Sequence, residues 1–270
     1  MALAHSFCIG TQTRPAAGSM FTASLSRRSA AGRSPAAAAA AADLPLAPQQ
    51  PVIKVCGVTN AEDADAAAAE GAGLIGMILW PKAKRSITPT VARQIGAVAR
   101  ARGAEPVAVF VDEDAATIER VCDEAGVRIV QLHGDGARAA LPHLPAHLAA
   151  VYVMHADPAG QLQTPPPPPG CRQPHWIIVD SLQGGSGQAF DWRQLRQQAA
   201  GFAPLATHGW LLAGGLTADS VAEAIATAGP TGVDVSSGVC GPDGLKKDLG
   251  KVQAYCSRAA AAFAAATAAR

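Results

Sequence analysis

Aromatic side chains are scarce in this chain, at 4% of 270 residues, although hydrophobic residues make up 49%. Much of the apolar fraction is alanine, which favours close helix packing but buries little area per residue. Charge of either sign is equally undistinguished: 22 Lys and Arg against 21 Asp and Glu leave a net charge of +1. A nucleic-acid footprint needs clustered Lys and Arg, so no nucleic-acid partner is expected. No run of about 18 uninterrupted apolar residues occurs, and no membrane span is expected. The cysteines at 8, 56, 122, 171, 240 and 256 include no C-x-x-C pair, which removes the motif of a zinc ribbon or a thioredoxin-like site. Their wide scatter reads as free thiols in a reducing compartment.

Acidic residues are missing altogether from residues 1–42, which carry Arg14, Arg27, Arg28, Arg33 and several Ser and Thr, and end in the run Ala36–Ala42. That is the composition of an organelle transit peptide rather than a secretory signal, and the Ser and Ala content leans towards the chloroplast stroma. Residues 1–50 are read as a disordered transit peptide and linker. Without them the charge balance becomes −2.

From residue 51 a rhythm sets in. Short apolar runs fall at 52–56, 74–79, 106–111, 128–132, 149–154, 176–180, 209–213 and 232–236. Segments suited to helices lie between them, at 61–71, 89–102, 114–125, 136–147, 191–200 and 217–228, with 245–258 after the last. Thr59, Asn60 and Thr217 are candidate N-caps; Gly71, Gly103 and Gly126 are candidate stops. Strand alternating with helix argues for parallel pairing. Eight such units predict a single α/β domain, a (β/α)8 TIM barrel over 51–258. An open doubly wound sheet is the alternative, but the first turn, Cys56-Gly57-Val58-Thr59, lacks the dinucleotide fingerprint. The fifth unit is irregular. Thr164 precedes five prolines, which cannot be helix interior, so 156–174 is expected to be an exposed proline-rich loop in place of a helix. Residues 259–270, nearly all Ala, either extend the last helix or fray.

Barrel chemistry collects at the C-terminal ends of the strands. There the sequence places Cys56, a basic loop ending in Arg85, then Gln131 and His133. Asp180 follows with the glycine loop Gly184, Gly185, Ser186 and Gly187. The last two strands end in Gly214-Gly215 and Ser236-Ser237-Gly238. Glycine-rich turns after strands seven and eight suit a phosphate, so a phosphorylated small-molecule substrate is expected. Cys56 is an inert core thiol or a general base; Asp180 is a cap or a general acid whose pKa burial has raised. Arg85 covers a solvated loop or clamps a carboxylate. His133 reads as a structural histidine, with no second His or acid at metal-ligand spacing. Strand alternation puts Lys54 on the face of Cys56, so Lys54 is expected to point into the barrel mouth.

KVCGVTN (54–60), GMILWPKAKRSI (76–87), VAVFVDE (107–113), VQLHGD (130–135), VDSLQGGSGQAFDW (179–192), LLAGGLTADSV (211–221) and GVDVSSGVCGPDGLKKD (232–248) occur in this order. With these blocks, residues 52–258 resemble the phosphoribosylanthranilate isomerases of tryptophan biosynthesis, in their plant-type, plastid-targeted form. The resemblance implies an Amadori rearrangement of N-(5-phosphoribosyl)anthranilate to 1-(2-carboxyphenylamino)-1-deoxyribulose 5-phosphate, without metal or cofactor. It implies Asp180 as general acid, Cys56 as general base and Arg85 on the anthranilate carboxylate. Gly214, Gly215, Ser236, Ser237 and Gly238 would hold the phosphate, helped by Gly184–Gly187. Ala83, Cys240 and the proline insert depart from the family pattern without touching these roles. Another phosphosugar barrel remains a rival. An epimerase would need metal-binding His and Asp residues that are not evident, and a histidine-pathway isomerase would favour Asp at position 56. A catalytically silent phosphosugar-binding barrel is the rival from outside enzymes. Monomer and homodimer are both open.

Overall fold

The structure, a computed structural model, describes Leu46, residues 50–182 and residues 190–268. The transit-peptide expectation and the loop Gly184–Gly187 therefore lie outside the described residues.

Eight parallel strands close into a barrel in sequence order. They are β1 (Val52–Val55), β2 (Leu74–Ile78), β3 (Glu105–Phe110), β4 (Ile129–Leu132), β5 (Ala149–Ala156), β6 (Trp176–Ser181), β7 (Gly209–Leu212) and β8 (Gly232–Val235). Closure is made by β1 on β8, with Lys54 in register with Asp234. The helices are α1 (Ala61–Ala69), α2 (Pro89–Ala101), α3 (Ala115–Ala125), α4 (Asp135–Ala139), α5 (Trp192–Phe202), α6 (Val221–Ala228) and α7 (Leu249–Ala268).

Local chemistry accounts for most helix ends. The Asn60 side chain accepts from the Asp63 N–H and starts α1; the Thr88 and Asp114 side chains do the same for α2 and α3. Gly126 closes α3 in the left-handed conformation, at φ 66°. Two expectations are corrected. The segment 217–220 forms a turn, its Thr217 N–H bound by the Ser220 hydroxyl, so α6 starts three residues later than Thr217 capping would give. The fourth helix is only one turn, followed by a 3-10 turn at Leu141–His143; Pro142 and Pro145 remove the N–H groups a longer helix would need. At the other end of the chain, α7 runs on through the Ala-rich tail, burying Ala259 and Phe263.

The strands sort their side chains by period two. One set, including Val52, Leu74, Val107, Ile129, Val151, Trp176, Ile178 and Leu211, packs as a cluster inside the barrel. The alternate set, including Ile53, Val55, Ile75, Met77, Val130 and Val233, packs outward with the helices. Alanines at 64, 67, 92, 99 and 224 are fully buried under the strands. Small residues there let helices approach the sheet closely, so an aromatic-poor chain still forms a continuous outer core.

No helix joins β5 to β6. The connection is mostly exposed but anchored at both ends. At its start Leu162 bridges Ala156, and buried Thr164 accepts from the His155 N–H at 3.0 Å. The Tyr152 hydroxyl donates to the Pro165 carbonyl at 3.2 Å. Towards its end Arg172 donates to the carbonyls of Pro145 (2.9 Å) and Leu148 (2.7 Å). Removing that fork leaves two carbonyls short of a charged donor. Arg172→Ala is expected to lower unfolding free energy by about 1–3 kcal/mol, read as a lower urea midpoint at an unchanged m-value.

Candidate active site

The inward-pointing series of β1, β2, β3, β4, β6 and β8 continues, at the C-terminal ends, into a cavity of about 240 Å³. Its lining is Cys56 just past β1, Ile78 from β2 with Trp80 beyond it, Val109 from β3 with Val111 beyond it, and Gln131 from β4 with His133 beyond it. Asp180 comes from β6, Asp234 and Ser236 from β8, and Ala83 and Arg85 from the loop after β2. Cys56 and Asp180, remote in sequence, thus face one half-open cavity.

Cys56 is held by backbone pairing to β8, its N–H donating to the Val235 carbonyl at 2.8 Å. Opposite it on β2 stands Gly76. A Cβ there would lie 2.7 Å from Cys56 Sγ and 3.0 Å from Lys54 Nζ, so glycine makes the room that both groups occupy. Lys54 is fully buried inside the barrel, and its ammonium lies 2.9 Å from Asp234 Oδ1. Burial alone would strip its charge; Asp234, and secondarily Cys56, outweigh that and hold its pKa above the ordinary lysine range. For Cys56, burial pushes the thiol up, while Lys54 and, more weakly, Lys247 pull it down. Burial also pushes Asp180 up to about 6, against the pull of the Ser181 N–H at 2.7 Å and of Lys54.

Arg85 crosses the mouth. Its Nη2 donates to the Ser236 hydroxyl at 3.0 Å and its Nη1 to the Gly244 carbonyl at 3.0 Å. Gly57, at φ 70°, lets it pass: a Cβ there would sit 2.6 Å from Arg85 Nε. A guanidinium carries five N–H groups, so these two bonds leave donors on both terminal nitrogens for a planar anion. The Ser236 hydroxyl donates to the Cys56 carbonyl at 3.0 Å while accepting from Arg85. Lys247 donates to the carbonyls of Cys56 (2.6 Å) and Ser236 (3.0 Å) and ties the ends of β1 and β8 together. Gly214 and Gly215 turn at φ 84° and 66°, and a 3-10 turn follows over Ser237–Val239. Among the described residues, no acceptor takes the N–H groups of Gly214 and Gly215.

His133, read as structural, lines the cavity. Its Nδ1 lies 3.4 Å from Gln131 Nε2 and its ring meets His155 edge-on at 5.2 Å. Burial and the charges of Lys54 and Arg138 push its pKa down to about 4, so it is neutral near pH 7. Among the described residues there is no group of three or more His, Cys, Asp or Glu placed to hold a metal ion, and the five described cysteines are free thiols. Sequence reading missed Asp234 and Lys247. The signal for Asp234 was present: an acid inside an apolar strand run requires a buried partner.

Residues 53–258 match the sequence model of the family described as N-(5'-phosphoribosyl)anthranilate (PRA) isomerase. The chain belongs to the phosphoribosylanthranilate isomerase family. It is 45% identical over 206 residues to N-(5'-phosphoribosyl)anthranilate isomerase 1, chloroplastic, of Arabidopsis thaliana, a match spanning 76% of this chain and 74% of that one. The solved phosphoribosylanthranilate isomerase of Thermotoga maritima superposes with a TM-score of 0.65 at 29% identity, covering 78% of this chain and all of that one. A second solved member, bound to reduced 1-(o-carboxyphenylamino)-1-deoxyribulose 5-phosphate, gives 0.63 at 26% identity with the same coverage.

The raised pKa of Asp180 makes the site a local cost to stability. Between the ordinary carboxyl value near ~3.9 and about 6, the folded chain holds a proton that the unfolded chain has released. Stability therefore falls as pH rises through that window. Asp180→Asn removes the burdened charge and is expected to raise unfolding free energy at pH 7 by about 1–3 kcal/mol. It should change little at pH 4, as urea titrations at the two values will read.

Proposed function

We propose that this chain carries out its family's isomerisation with Asp180 as general acid and Cys56 as general base, while Arg85 holds the anthranilate carboxylate. The observation that carries the assignment is the shared cavity: a carboxyl with a pKa of about 6 and a thiol, from strands on different sides of the barrel, line one space together with the guanidinium.

The steps follow from these groups. Asp180, protonated, gives its proton to the furanose oxygen of N-(5-phosphoribosyl)anthranilate, and the bond from C1 to that oxygen breaks. The anthranilate nitrogen supplies the electrons and becomes an iminium. That cation acidifies the C2 hydrogen. The Cys56 thiolate removes it, and the C2–H electron pair forms the C1=C2 bond as the iminium is neutralised. Tautomerisation of the resulting enol places the carbonyl at C2 and gives 1-(2-carboxyphenylamino)-1-deoxyribulose 5-phosphate. The electron sink is the substrate's own iminium, so the reaction asks only for a proton donor and a proton acceptor. The N–H groups of Gly214 and Gly215, which no described residue accepts, together with the turn Ser236–Gly238, are assigned to the phosphate. The loop Gly184–Gly187 is proposed to complete that cradle.

Residues 1–42 are assigned to import into the chloroplast. The reading rests on their acid-free, Ser- and Ala-rich composition and on the chloroplastic Arabidopsis relative. The catalytic unit is the barrel from residue 51 onward.

Cys56→Ala and Asp180→Asn are each expected to cut turnover by about 10²–10⁴-fold, with circular dichroism unchanged. Loss of phosphoribosylanthranilate fluorescence measures turnover, and near wild-type rates in both variants would overturn the roles. The working form pairs a protonated acid of lower pKa with an ionised thiol of higher pKa. The population of that form rises with pH up to about 6 and then stays level until the thiol itself titrates. The kcat/KM profile is expected to show that plateau, with its acid limb near 6.

A further inference from the structure

We propose that Lys54, clamped by Asp234, is a positioning residue for the reaction: its buried ammonium stabilises the Cys56 thiolate that removes the substrate's carbon-bound proton. The proposal rests on the reading of Cys56 as the base.

Geometry makes the case. Lys54 and Cys56 are two apart on β1, so both side chains enter the barrel interior on the same face. Gly76, directly across on β2, has no side chain, and the sulfur and the ammonium occupy the space it leaves. Asp234, in register with Lys54 on β8, holds the ammonium from the far side at 2.9 Å. An ammonium with no access to water exerts a strong local field, because no solvent screens it and only Asp234 offsets it. It is not needed as a mere barrel filler: the neighbouring inward positions are filled by Val52, Leu74 and Leu211, so an apolar side chain would serve packing alone.

Every charged group facing this thiol has a sign that can be assigned. Lys54 favours the thiolate most, Lys247 less, and Asp234 opposes it. Asp180 feels Lys54 as well, and His133 is kept neutral partly by it. Tyr255, buried in the outer core and held up by burial and by Asp234, stays un-ionised. The Arg85 guanidinium lies over Gly57 but is engaged by Ser236 and Gly244. Lys54 is therefore the main cation available to an ionised Cys56. Asp234 sets how much of its field the sulfur receives.

The clamp predicts shifts of opposite direction. In the full-length chain, iodoacetamide alkylation of the Cys56 peptide, followed by mass spectrometry across pH, reads the thiol directly and without turnover. Lys54→Met is expected to raise the apparent pKa of Cys56 by about one unit or more. It should lower the plateau of kcat/KM about tenfold for each unit by which the rise at Cys56 exceeds the rise at Asp180, through kcat with little change in KM. Asp234→Asn is expected to lower the apparent pKa, because the ammonium turns to the sulfur. Lys54→Met combined with Asp234→Asn leaves no unpaired buried charge and guards against misfolding of either single variant. Its thiol is expected to titrate above wild type but below Lys54→Met. Unchanged titration, or shifts of the same sign in both single variants, would overturn the proposal. If instead the shifts occur while Cys56→Ala retains turnover, the fault lies with the base assignment and not with the clamp.

Discussion

The contact between the first strand and the last holds this molecule's chemistry together. Closing the barrel brings β1 beside β8, and with that pairing Lys54 meets Asp234 at 2.9 Å inside the protein. Two opposite charges buried in apolar strands are tolerable only when each satisfies the other. The same seam carries Cys56, whose N–H bonds to Val235 and whose carbonyl accepts from Ser236 and Lys247. Sulfur, ammonium and carboxylate therefore share one rigid junction. A one-residue slip of β1 against β8 would turn the sulfur and the ammonium together away from the carboxylate, because it moves every side chain of the strand to the other face.

Above that junction, the inward series changes character along the barrel axis. Near the strands' N-terminal ends it is Val52, Leu74, Ile129, Trp176 and Leu211, a dry plug. Towards the C-terminal ends it becomes Lys54, Asp234, Gln131, Asp180, His133 and Cys56. The plug keeps water from reaching the polar layer from below, and the mouth is partly roofed by Arg85 and its bonds to Ser236 and Gly244. In such surroundings charge is expensive, and pKa values spread accordingly. Asp180 moves up to about 6 and His133 down to about 4 through the same cause, the preference of a buried group for its neutral form. A carboxyl able to hold a proton near neutral pH is what ring opening of a glycosylamine requires. The instability this creates at Asp180 is local, and the continuous outer core of strands and helices absorbs it.

Much of this was legible in the chain. Eight apolar runs spaced by Ala-rich segments specify the (β/α)8 barrel, because a strand buried on both faces must be apolar throughout and parallel neighbours need a crossover between them. The five prolines after Thr164 exclude a helix between β5 and β6. Other features were less visible. The short fourth helix follows from Pro142 and Pro145, but helical periodicity across 136–147 obscured it. The start of α6 at Val221 depends on a Ser220–Thr217 turn that competes with Thr217 as a cap. His133 read as a structural histidine even though its spacing from Gln131 set both on one face at the end of β4; that both line the cavity is seen only in the structure.

Sequence by itself determined the class of fold, the strand tips on which polar residues gather and the family to which they belong, because these follow from periodicity and from residue types at short spacing. Only the tertiary structure decided which of those residues meet. The Lys54–Asp234 pairing spans 180 residues, and the Lys247 contact with the Cys56 carbonyl spans 191. It also decided that the Ser236 hydroxyl serves Arg85 and the Cys56 carbonyl. The physical reason is closure. Burial, and with it the protonation state of every group at the mouth, does not exist until the eighth strand reaches the first.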